Sequence, residues 1–312
     1  MRARSALGSL MAAVALTGCG NHFSSGIAID PALQKFVSPD TVVLAGIDLS
    51  KIRATPFYAR HRKQLDLPQL NTFSGQSGFD FRRDLSTLVL MWNGKEMVIA
   101  GRGKFSKDKI QQQLAGASSR TQYKKYTLFE SHGDAVSFVN AELAVAGNTH
   151  SVKSAIDTEE NRNGQVPAEL SAGISKLPRA DQIWLVSRGG LPFADMPGSS
   201  ERKSILSNFA GYVRATSAAI ALDSGLHFKA EIDCNSDAGA KRVNDGVRGG
   251  IGFARLAIKN KDLDILPLYD AVHVRQDKET VYIDADLSPD LADKLLNRFV
   301  AVQFSTEMSS PH

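Results

Sequence analysis

Two carboxylate pairs, Asp262-Leu263-Asp264 and Asp284-Ala285-Asp286, set acids two residues apart, a spacing that places both groups on one face of a strand. Acids so arranged can serve glycoside hydrolysis or hold a cation. Neither pair has a second partner identifiable in sequence, so a solvated surface accounts for them. Seven histidines are scattered along the chain, His22, His61, His132, His150, His227, His273 and His312, with no His-x-x-x-His or Cys-x-x-Cys pair. No zinc site is therefore expected. His61 stands four residues from both Phe57 and Leu65, the spacing of a packed helix face. Gly246-Val247-Arg248-Gly249-Gly250-Ile251-Gly252 follows a helix-like stretch and lacks the Gly-Lys-Ser/Thr ending of a phosphate loop. Close helix packing or a helix break explains it better. Gly101-Arg102-Gly103-Lys104 lacks the third glycine of a dinucleotide fingerprint, and no Gly-x-Ser-x-Gly elbow occurs. The residues thus nominate no catalytic group, no cofactor and no metal.

The amino-terminal residues carry a clearer signal. Arg2 and Arg4 form a positive head, Leu7 to Leu16 an apolar stretch broken only by Gly8 and Ser9, and Leu16-Thr17-Gly18-Cys19 closes it. The apolar run is shorter than the roughly 20 residues a membrane-spanning helix needs. Together these features resemble the lipobox-type signal of bacterial lipoproteins, cleaved by signal peptidase II. The resemblance implies cleavage after Gly18, a diacylglycerol on the Cys19 sulfur and an acylated new amino terminus. Buried methylenes contribute about 0.8 kcal/mol each, so two or three chains hold such a protein on its membrane. Gly20, where an aspartate would resemble an inner-membrane retention signal, implies the outer membrane facing the periplasm in a Gram-negative host. No later stretch approaches 18 uninterrupted apolar residues.

Loss of 18 of the 312 residues leaves 294, and loss of Arg2 and Arg4 lowers the net charge from +4 to +2. A mature chain so near neutrality has no electrostatic basis for binding nucleic acid. The basic residues Lys95, Arg102, Lys104, Lys107, Lys109, Arg120, Lys124 and Lys125 cluster, but Glu96, Asp108 and Glu130 dilute them into a solvated face. With Cys19 a thioether, Cys234 is the remaining thiol and no internal disulfide can form. Cys234 ends the alternating stretch Leu226 to Cys234, which puts Leu226, Phe228, Ala230, Ile232 and Cys234 on one face and His227, Lys229, Glu231 and Asp233 on the other. It reads as a buried hydrophobe.

The elements that would position these groups recur. Hairpins are expected at Leu85–Trp92 with Met97–Gly101 around Asn93-Gly94, at 135–139 with 143–146, at 216–222 with 226–234 around Ser224-Gly225, and at 271–275 with 280–287. Helices should begin at Thr55-Pro56, Ser106, Asn148 or Thr149, Asn235 or Ser236, and Ser288-Pro289. Lone strands open the two halves at 41–49 and 182–187. Both halves therefore read strand, helix, hairpin, helix, hairpin, helix. The expectation is an α+β fold of two like-built domains, each a largely antiparallel sheet with helices on one face. Its divisions are a signal at 1–18, lipidated cysteine and tether at 19–39, a first domain at 40–160, a linker region at 161–180, a second domain at 181–302 and a tail at 303–312.

Secure anchoring beside no catalytic signature points to a non-enzymatic envelope lipoprotein that binds or scaffolds an envelope protein or an apolar ligand, the latter requiring a large apolar cavity. The rival is an envelope hydrolase assembled from distant residues, for which a deep polar pocket uniting a histidine with two carboxylates would speak. The loop from Gly189 to Ser200, carrying Leu191, Phe193 and Met196, is a candidate lid or contact loop, with an ordinary connecting loop the simpler reading.

Overall fold

The computed structural model of this chain describes residues 26–64, 74–75, 78–105, 110, 112, 114, 116, 118–189, 209–258 and 260–307, with the side chains of 260–262 and 299–307 outside the description. Strands form where apolar and polar residues alternate between turn formers. They are β1 (Val43–Asp48), β2 (Leu85–Trp92), β3 (Met97–Gly103), β4 (Ser119–Tyr123), β5 (Tyr126–Ser131), β6 (Asp134–Phe138), β7 (Leu143–Asn148), β8 (Ile183–Arg188), β9 (Val213–Leu222), β10 (Leu226–Cys234), β11 (Val272–Asp277) and β12 (Thr280–Leu287). Gly94 takes the positive φ of +96° that the β2–β3 turn needs, and the Asn93 Oδ1 accepts from the Lys95 and Glu96 amides at 3.0 and 2.9 Å. At the β9–β10 turn the Asp223 Oδ1 accepts from the Gly225 amide at 2.7 Å.

Helices start where a side chain satisfies a free amide. Thr55 accepts from the Tyr58 amide to open Pro56–His61, Asn148 from Ser151 to open Thr149–Glu160, and Ser236 from Gly239 to open Asp237–Leu256. The last helix, Pro289–Glu307, has proline at its first position. None of the described helices is long and apolar enough to cross a membrane.

All twelve described strands join one antiparallel sheet in the order β11-β12-β10-β9-β8-β1-β2-β3-β7-β6-β5-β4. The two halves meet where β1 pairs with β8, Ala45 opposite Leu185 and Gly46 opposite Trp184. The expected separate sheets are therefore one sheet with a seam. At that seam the Trp184 ring lies over Gly46, where a Cβ would stand under 3.0 Å from its Cε2, Cζ2 and Nε1 atoms.

Helices cover both faces rather than one. On the first face Leu44, Val89, Trp184 and Val186 pack with Val152 and Ile156 of Thr149–Glu160 and Leu170 and Ile174 of Ala168–Lys176. On the second, Ile232 and Val281 pack under Val243 of Asp237–Leu256, while Leu222 and Leu287 meet Phe57 and Ala292. Both faces of the central strands are apolar, so each needs a cover. Two segments expected to be loose are also packed. Leu33, Phe36 and Val37, from the expected tether, are fully buried, and Leu170 and Ile174 turn the expected linker into a core helix. Composition rich in Gly, Ser and Pro hid the apolar spacing of these stretches. The β4–β5 hairpin was not expected, because Ser119-Arg120-Thr121-Gln122-Tyr123 is an exposed, polar edge strand with no apolar alternation.

Candidate binding groove

Residues directly opposite on neighbouring strands share a face. Three rows therefore run across the second face of the sheet. One is Leu88, Ile47, Ile183, Ile220 and Phe228; the next is Leu90, Ala45, Leu185, Ala218, Ala230 and Ile283; the third includes Val43, Ser187, Thr216 and Ile232. In the middle row three alanines stand where larger side chains would fill the surface. The result is a groove of about 500 Å³ over β1, β2, β8, β9 and β10, walled on one side by Val247 of Asp237–Leu256. Ala45, Leu185, Ala218, Ile220 and Phe228 are only partly buried there, whereas their chain neighbours Leu44, Val186 and Ala219 on the other face are fully buried. No charged side chain lines it among the described residues.

The groove is thus an apolar concavity of ordinary ligand-site volume, since small-molecule sites run about 300–1,000 Å³. It can take up hydrocarbon, and among the described residues its lining offers no titratable group for proton transfer. Another cavity, beside Trp92, Glu96 and Ser151, has a mixed polar and apolar lining and holds only about 40 Å³, enough for one or two waters.

The polar groups nominated by sequence fall elsewhere. His227 on β10 faces Asp286 on β12, with Nδ1 to Oδ1 at 2.8 Å, and its Nε2 lies 3.2 Å from Asp223 Oδ2. The Asp286 carboxylate first, then Asp223, holds the ring's pKa above the usual histidine range against the opposing effect of burial. The three side chains are 40%, 73% and 61% exposed, so histidine and carboxylates meet on open surface rather than in a deep pocket. Both ring nitrogens are engaged by acids, which makes the group a surface ion pair. Lys229 stands opposite Asp284 on the same strands, and Lys176 bridges Glu231 and Asp233. His61 is buried, its Nδ1 2.8 Å from the Phe57 carbonyl and its Nε2 3.0 Å from Asp293, a packed histidine as its spacing suggested.

Cys234 is fully buried, and burial first, then Asp233, pushes its thiol upward. The basic cluster is partly spent in ion pairs: Arg102 with Asp30 and Glu142, Lys124 with Asp157 and Glu160, Lys125 with Glu160. Gly246 lies under the Phe209 ring, which accounts for one glycine of its run by close packing. Among the described residues no three His, Cys, Asp or Glu side chains are grouped to hold a metal ion. Cys19, Ser106, Lys107, Lys109 and residues 190–200 of the candidate lid lie outside the described residues. Sequence reasoning missed the groove itself. Its signal is present as Ala45, Ala218 and Ala230, small residues on otherwise bulky strands, but nothing local shows that they align.

No protein-family model matches the chain, and no curated protein does. Solved structures do. The chain is similar to crystal form III of TP0453 at 13% identity and a TM-score of 0.51, over 85% of this chain and 97% of that one. Crystal form I of TP0453 matches at 12% identity and a TM-score of 0.47, over 85% and 96%. The likeness to crystal form III is one of fold.

Proposed function

We propose that this chain is a lipid-anchored envelope protein, held on a membrane through an acylated Cys19, that binds the hydrocarbon chain of a lipid in its central groove and does no chemistry on it. The observation that carries the reading is the groove: about 500 Å³ of apolar surface, floored by Ala45, Ala218 and Ala230, on a sheet face that otherwise packs against helices. The leader residues support the address, because Arg2, Arg4, the apolar run and Leu16-Thr17-Gly18-Cys19 occur together. Gly20, standing where a retention-signal aspartate would be, supports the outer membrane facing the periplasm, given a Gram-negative host. An anchored protein samples membrane lipid at high effective concentration, so a modest intrinsic affinity suffices to load it.

We also read the fold as an internal duplication. The order β1-β2-β3-β7-β6 in one half has its counterpart in β8-β9-β10-β12-β11 in the other, and β1 and β8 pair antiparallel at the centre. The groove then arises at the seam, where the two copies join.

The test uses the mature protein in membranes with a diazirine-bearing fatty acyl probe. Adducts should map to peptides of β1, β8, β9 and β10, and fall in an Ala218→Phe/Ala230→Phe form whose floor is filled. Labelling confined to peptides beside Cys19, or unchanged by the filled floor, would reject the groove as the site.

A further inference from the structure

Among the described residues, the side-chain oxygens of Ser187, Thr216 and Asn244 are buried without a hydrogen-bond partner. These residues are only 3%, 5% and 8% exposed. Buried polar atoms in native folds are nearly always paired, so each exception asks for a cause. Two of the three are neighbours: Ser187 and Thr216 stand directly opposite on β8 and β9, on the groove's face of the sheet, and Thr216 is part of its wall. Asn244 precedes Val247, the groove's helical wall, by one helical turn. Thr216 lines one end of the otherwise apolar groove, with Ser187 opposite it on β8 and Asn244 one turn from Val247, so unmet hydrogen-bonding capacity adjoins that end. Each hydroxyl can both donate and accept, and the Asn244 Oδ1 can accept.

Resting on the acyl-binding reading above, we propose that this end of the groove recognises the uncharged, hydroxyl-bearing head of a single-chain lipid, of the monoacylglycerol type, whose tail lies over Ala45, Ala218 and Ala230. The absence of charge from the described lining decides the head's chemistry. An ionised carboxylate or phosphate would be buried there with no counter-charge, which is far costlier than burying a hydroxyl that finds partners. A bare alkane would leave the three oxygens as they stand.

The experiment measures how much competitor halves photolabelling of the membrane-held mature protein by the acyl probe. The proteins are the wild type, Thr216→Val and Ser187→Ala/Thr216→Val; the competitors are monopalmitoylglycerol, hexadecyl phosphate and hexadecane. Membrane partition is common to all the proteins and cancels in the variant-to-wild-type ratio. The double variant should need about 10–30-fold more monopalmitoylglycerol, the equivalent of two net hydrogen bonds, and within twofold the same hexadecane. Hexadecyl phosphate should compete at least about tenfold worse than monopalmitoylglycerol on the wild type. The ligand-free melting temperature of the variants should hold or rise, since a methyl replaces an unpartnered hydroxyl. If the double variant does not fold, near-isosteric Thr216→Val alone should show about a 3–6-fold shift. Equal competition by the phosphate, or an unshifted variant, overturns the head assignment while leaving acyl binding intact. Failure of all three competitors, hexadecane included, instead removes the groove reading on which it rests.

Discussion

Replacing Gly46 by alanine tests the seam beneath the groove. Elsewhere in a strand this exchange is favourable, because it removes backbone freedom from the unfolded chain and gains about 0.4–1 kcal/mol. Here the new Cβ would stand under 3.0 Å from three atoms of the Trp184 ring. The ring has little room to yield, since Trp184 is buried in the core of the first face with Leu44, Val89 and Val186. Overpacking of a filled core costs about 1–3 kcal/mol, which exceeds the entropic gain. Gly46→Ala should therefore destabilise the protein by roughly 1–2 kcal/mol net, against that background. Ala45 and Leu185, whose chain neighbours clash, form the groove floor on the other face, so acyl labelling should fall too. Urea unfolding of the wild type, Gly46→Ala, Trp184→Leu and the double variant gives the coupling directly. In the smaller Trp184→Leu background the alanine should become neutral or favourable. A Gly46→Ala protein as stable as wild type, or an unchanged penalty in the Trp184→Leu background, would refute the seam geometry.

Three further outcomes follow from the packing and charges. Phe36→Ala should cost about 3–5 kcal/mol in chemical unfolding, because Phe36 is a core residue rather than part of a tether; a cost near zero would return the segment to a tether. His227 has a raised pKa in the fold, so its stabilising contribution is fully present below the ordinary histidine value of 6.5 and is lost as pH rises through the raised value. His227→Gln should flatten that limb of a melting-temperature profile, and identical wild-type and variant profiles would contradict the pairing. Thiol titration of the mature protein should find none reactive in the native state and one in denaturant, from buried Cys234. Two in denaturant would show that Cys19 is free.

Local chemistry made the hairpins legible. Asn93-Gly94 and Ser224-Gly225 mark turns, and Thr55, Asn148, Ser236 and Ser288 mark helix starts that sit at or within one residue of the observed ones. The α+β class and its antiparallel sheet follow from those elements. What escaped were relations across distance. The β1–β8 pairing joins residues about 140 positions apart and leaves no local signature, so one sheet reads as two. Leu170 and Ile174 lie in a stretch whose polar flanks resemble a linker, and burial there is decided by β8 and β9 above it. The groove depends on Ala45 aligning in one row with Ala218 and Ala230. Alternation puts His227 and Asp286 on polar strand faces, but their contact depends on the β10–β12 register.

Native mass spectrometry of the mature protein drawn from its own membranes bears most directly on the groove. The native mass should exceed the denatured mass by one single-chain lipid, lost when Ala218 and Ala230 are enlarged to phenylalanine. Native and denatured masses that agree, in a protein whose sheet is intact, would contradict lipid binding in the groove.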